Sequence, residues 1–170
     1  MGSSSDYQYG PVNDYSLKMV MGNGSGRGIT FGRNGVTPVA AINTTNGNMT
    51  IAGAFAAASK SFLINHPTKE GWKLRYGSLE GPENGVYIRG KLKGKNKIEL
   101  PEYWTKLVDP DSITVTLTPI GKHQKLYVED ISDNVVTIAN DGLFAGEINC
   151  FFVVYGERVD VDKLVVEYQE

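Results

Sequence analysis

Residues 64 to 90 read INHPTKEGWKLRYGSLEGPENGVYIRG and concentrate groups able to do chemistry. His66, Arg75, Glu80, Glu83 and Arg89 all fall inside this glycine-punctuated stretch. A histidine near a carboxylate is the raw material of general acid–base catalysis. Two nearby carboxylates, here Glu80 and Glu83, are the raw material of glycoside hydrolysis. The surrounding residues argue for a plainer role. Gly77-Ser78-Leu79-Glu80-Gly81 places its serine one position too early for a G-x-S-x-G nucleophile elbow. Pro67 biases His66 toward extended backbone, so His66 reads as a turn residue bonding backbone groups. Glu80-Gly81-Pro82-Glu83-Asn84-Gly85 is dense in residues that set special backbone angles. It reads as a tight double turn feeding a strand, its charges solvated or paired with Arg75 or Arg89. A hydrolase using Glu80 and Glu83 stays as a competing reading.

Metal and cofactor chemistry find little support. The chain has two histidines, His66 and His123, with no H-x-x-x-H spacing, and one cysteine, Cys150. Cys150 lies in the apolar run Ile148-Asn149-Cys150-Phe151-Phe152-Val153-Val154, where a buried, inert thiol is expected. No catalytic residue, metal ligand or cofactor is expected, and the chain reads as a non-enzyme. The net charge of −2 over 170 residues points away from nucleic acid as a partner. Lys91, Lys93, Lys95 and Lys97 cluster around Gly94, but no aromatic residue is interleaved among them along the chain. They read as a solvated hairpin tip. No apolar run is long enough for a membrane helix, and no membrane insertion is expected. Trp72, Tyr103 and Trp104 are candidate aromatics for stacking on a glycan. Trp104, in a Pro-Glu-Tyr-Trp turn, also reads as a core plug.

The elements that must position these residues are strands. Val, Ile, Thr, Tyr and Phe dominate the apolar runs. The texture changes near residue 60, so two regions are expected, 1–59 and 60–170. Ten of the twenty glycines precede residue 60. Asn34-Gly35 and Asn46-Gly47 predict type I′ turns between short strands at Leu17 to Met21, Ile29 to Phe31, Val36 to Ile42 and Met49 to Ala52. Side chains this small cannot enclose a core alone. Burial against copies of the same chain is the physical solution, and closed cyclic symmetry is the usual form. Residues 60–170 predict a compact β-sandwich-like domain of nine strands, from Lys60 to Ile64 through to Lys163 to Tyr168. Ile148 to Tyr155 is expected at the centre of a sheet. A short helical turn is expected over Pro101 to Leu107, opened by Pro101.

Several stretches together resemble a module of tailed-bacteriophage virion structural proteins. They are Lys60-Ser61-Phe62-Leu63-Ile64-Asn65-His66-Pro67, Leu74 through Tyr87, Ile98-Glu99-Leu100-Pro101-Glu102-Tyr103-Trp104, Ser112 through Gly121, and Tyr155-Gly156-Glu157-Arg158-Val159-Asp160-Val161. Val39 through Phe55 is similar to the β-rich shaft repeats of phage tail fibres. The resemblance implies an all-β homotrimer, with intertwined shaft strands followed by a C-terminal domain that drives assembly or attachment. It implies location in the virion tail fibre after assembly in the host cytoplasm. Partners would be copies of itself, other fibre or virion proteins, and a host surface glycan or protein. It brings no catalytic residues. His66, Arg75, Glu80, Glu83 and Arg89 become candidates for a structural polar network, between subunits or within one. A receptor- or glycan-binding tip is the alternative function.

Overall fold

Alternating residues become sheet wherever a neighbouring strand can complete the ladder. The computed structural model describes Tyr9, Val12, Leu17, residues 19–142 and residues 146–169. The chain divides into two units, residues 1–58 and 59–170. Among the described residues the regular structure of both is mostly antiparallel strand, with one short α-helix and one 3-10 turn in the second.

The first unit holds a three-stranded meander of β1 (Gly28–Phe31), β2 (Ala40–Asn43) and β3 (Met49–Ile51), in that order. The described residues of the expected strand Leu17 to Met21 form no ladder. The expected strand Val36 to Ile42 starts later, because Pro38 has no N–H to give and pairing begins at Val39, which donates to the Phe31 carbonyl (2.9 Å). The Asn-Gly steps are not type I′ turns, which need positive φ at both central residues. Only Gly35 (φ 72°) and Gly47 (φ 76°) have it. Bonds donated by the Thr45 N–H to Asn43 Oδ1 (2.8 Å) and by the Asn48 N–H to Asn46 Oδ1 (3.0 Å) hold the second loop instead.

The second unit opens with a hairpin of β4 (Ser61–Asn65) and β5 (Lys73–Gly77). Two three-stranded sheets follow. β6 (Gly85–Lys93), β11 (Asn149–Glu157) and β8 (Thr114–Pro119) form one, with β11 central. β7 (Lys97–Glu99), β10 (Val135–Asn140) and β9 (Leu126–Ser132) form the other, with β10 central. Their inward residues meet in one core: Val86, Leu92, Cys150 and Val154 from the first sheet, Ile98, Val136 and Ile138 from the second. The helix α1 (Trp104–Leu107) adds Trp104 and Leu107, and begins three residues after Pro101.

Two close approaches fix glycine within β11 and β6. A methyl group at Gly156 would lie 2.4 Å from Val108 Cγ1, and one at Gly90 would lie 2.7 Å from the Phe152 ring. The β9–β10 turn needs no glycine. Asp133 (φ 50°) and Asn134 (φ 61°) both take the left-handed region, which short polar side chains tolerate, and make a two-residue type I′ connection. The Asn134 side chain donates to the Leu100 carbonyl (2.8 Å) and the Pro101 carbonyl (3.1 Å), tying this turn to the approach to α1.

The expected final strand, Lys163 to Tyr168, does not form. Isolated backbone bonds, from the Arg158 N–H to the Asn84 carbonyl (3.0 Å) and from the Val159 N–H to the Leu107 carbonyl (2.9 Å), and side-chain contacts take the chain after β11 instead of a ladder. Arg158 makes two bonds to Asp160 (2.8 and 2.7 Å), and Asn84 donates to the Asp162 carbonyl (3.0 Å). Leu164, Val165, Val166 and Tyr168 are left exposed.

Candidate functional site

The β4–β5 hairpin attaches to the core through aromatic rings. Phe62 on β4 stacks on Tyr76 of β5, with ring centres 5.5 Å apart. Tyr76 Oη accepts a bond from Trp104 Nε1 (3.3 Å) and shares another with Tyr103 Oη (2.8 Å). Burial, helped by that partner, pushes the Tyr103 phenol well above its ordinary range. The Arg158 guanidinium sits 3.8 Å over the Phe62 ring, a cation–π contact already held flat by Asp160. His66 closes the hairpin loop. Its Nδ1 accepts from the Lys69 N–H (3.1 Å) and the Thr68 N–H (3.3 Å), while its ring meets Tyr103 edge-on at 5.3 Å. An Nδ1 that accepts from two backbone donors is occupied as a turn brace.

The other charged residues of the stretch do not gather around it. Arg75 points outward from β5, and Arg89 outward from β6. Glu80 pairs with Lys60, which by hydrogen bond and charge holds its carboxyl below the usual range, at a fully exposed position. Glu83 is exposed. No ion pair among the described residues joins any two of His66, Arg75, Glu80, Glu83 and Arg89. Sequence proximity concentrated these residues, but a strand sends alternate side chains to opposite faces and a hairpin carries them apart.

The three candidate aromatics also separate. Trp72 is 64 % exposed beside Lys69, whose ammonium lies 5.4 Å from the ring. Tyr103 is half-buried. Trp104 is 1 % exposed, so as a sugar-stacking residue it is corrected: α1 turns it into the core, where its only polar atom already has Tyr76 as a partner. Cys150 is buried, and burial raises its thiol above the ordinary value. Among the described residues no three His, Cys, Asp or Glu side chains come together as a metal site would need. No helix is long and apolar enough to cross a membrane.

The largest unmet physical demand lies in the first unit. Register places Phe31, Ala40 and Ile51 in one row across the sheet, and Ile29, Ile42 and Met49 in the next. Residues directly opposite one another share a face, so all six project from the same side. Thr30, Ala41 and Thr50 make a row on the other side. The meander is thus amphipathic, the pattern of a sheet with one covered face. Yet Phe31 is 46 % and Met49 55 % exposed. Met19, Val20 and Met21 border a hollow with Ile42, and they are exposed as well. Every described residue of the buried apolar core lies between Val86 and Val154, none in this unit. Fully burying side chains of this size is worth about 1.5–3 kcal/mol each, so one chain alone leaves several kcal/mol unrealised here. Comparison with protein-family models, curated proteins and solved structures returned no match.

Proposed function

We propose that this chain is a non-enzymatic structural component of a bacteriophage tail fibre. Three copies would combine their first units into a shaft, and the domain 59–170 would drive assembly or attachment. The observation that carries this reading is the uncovered apolar face of β1, β2 and β3. A soluble chain rarely keeps such a face open, and identical chains arranged about an axis can bury it against one another. In this reading the protein resides in the virion, assembled in the host cytoplasm. Its partners are its own copies, adjoining virion proteins and a host surface. Of the candidate network, Arg75, Glu83 and Arg89 would then be available to pair across chains, while His66 braces its turn and Glu80 pairs with Lys60.

Light scattering behind size exclusion tests the proposal, on the whole chain and on residues 59–170 alone. The expected mass of the whole chain is three times its 18.6 kDa. A monomer at every concentration would overturn the shaft reading. A trimer of 59–170 alone would assign the assembly signal to the second unit.

A further inference from the structure

The register of β6, β11 and β8 brings together groups that chain order keeps apart. Lys91 lies opposite Phe151, Arg89 opposite Val153 and Tyr87 opposite Tyr155. Across the other edge of β11, the same three residues face Thr118, Thr116 and Thr114. The alternate residues of these strands fill the core, so this face points outward. Read along the chain, the lysines have no ring among them; read across the sheet, Lys91 abuts Phe151 and Arg89 abuts Val153.

Three columns result, each running along its strand with side chains about 6.4–6.8 Å apart. β6 carries Lys91, Arg89 and Tyr87, β11 carries Phe151, Val153 and Tyr155, and β8 carries the threonine hydroxyls. Phe151 is 55 % exposed at the centre, and the Tyr87 and Tyr155 rings lie 5.8 Å apart with planes tilted 40°. The described ion pairs engage neither Arg89 nor Lys91. Glu157, the acid at the end of the β11 column, is engaged by Lys163 (3.2 Å).

We propose that this outer face binds an acidic polysaccharide. Sugar rings would stack on Phe151 and the tyrosine pair, carboxylates would lie along the β6 cations, and ring hydroxyls would bond the β8 threonines. Charge complementarity selects this ligand. A neutral glycan leaves the cations unused. Nucleic acid carries a charge at every nucleotide and favours a strongly basic groove, whereas this chain has a net charge of −2 and this face carries cations along one strand only. A polymer with sparser carboxylates matches one cationic column. The inference does not rest on the fibre proposal, because a single chain carries the whole face.

The test is titration of the whole chain at low salt with hyaluronate, gellan and xanthan, using dextran and oligothymidylate as comparators. At least one acidic polysaccharide is expected to bind, with affinity falling as salt is added. Phe151→Ala and Lys91→Glu are each expected to weaken it about tenfold. Tyr127→Ala, at an exposed ring on the other sheet, should leave it unchanged. Phe151 and Lys91 are both exposed, and unchanged thermal melting would show that each variant folds. Binding to none of the three polymers overturns the proposal, as does undiminished binding by both variants. Tighter binding of oligothymidylate would reassign the face to single-stranded nucleic acid. A lower solution mass for Phe151→Ala would reassign it to contact between copies.

Discussion

The two units solve the same problem, covering one face of a small antiparallel sheet, with different partners. In residues 59–170 the sheet of β6, β11 and β8 has the sheet of β7, β10 and β9, together with α1, to share its core. In residues 1–58 the sheet of β1, β2 and β3 has a comparable apolar face and no second layer among the described residues. Strand chemistry is similar in both. Bulk and chain length differ: the second unit supplies Trp104, Leu107 and Ile138, and enough residues to fold back over itself. An amphipathic sheet therefore does not imply a self-sufficient domain. Its stability resides wherever the cover comes from, within the chain or outside it.

The contrast can be broken most forcefully at the second unit's plug. Trp104→Ala should cost about 3–5 kcal/mol, a large part of the roughly 5–15 kcal/mol that holds a domain folded. Trp72→Ala, at an exposed ring, should cost under about 1 kcal/mol. Urea denaturation of both variants measures the difference; equal losses would mean that Trp104 does not anchor the core.

A smaller effect is expected from Tyr103→Phe, about 1 kcal/mol for the lost bond to Tyr76. It carries a pH signature. Burial raises the Tyr103 phenol above its ordinary value of 10.0, so below that pH both folded and unfolded chains keep the proton. Above it the unfolded chain releases the proton first, and stability falls as pH rises. Tyr103→Phe should flatten that alkaline decline, and parallel curves for the two proteins would remove Tyr103 as its source.

The smallest change in single-chain stability is expected in the first unit. Phe31→Ser should stay within about 0.5 kcal/mol in a monomer, because the ring is already 46 % exposed and lies outside the buried core. Its effect should appear instead as a fall in solution mass toward one chain. A clear loss of stability in a proven monomer would show that the face is covered within the chain.

Legibility followed the range of the forces involved. The strand positions of the second unit were readable because alternation such as Ile113-Thr114-Val115-Thr116-Leu117 is a local property of a half-buried strand. The continuous apolar run at Ile148 marked β11 as central for the same reason. Lys163 to Tyr168 misled because apolar residues record a tendency to pair and carry no information on whether an edge is within reach. Asp133-Asn134 escaped notice because the left-handed turn there is held by bonds to Leu100 and Pro101, distant in sequence.

The sequence by itself determined the β class, the change of character near residue 59 and the apolar alternation of each strand. These are set by side-chain size, branching and turn chemistry within a few residues. Tertiary structure decided between core plug and stacking ring for Trp104, and alone decided that the charges of residues 64 to 90 disperse and that Lys91 stands beside Phe151. Those outcomes depend on strand register and on which layers meet, and both are fixed only when distant segments compete for the same buried surface.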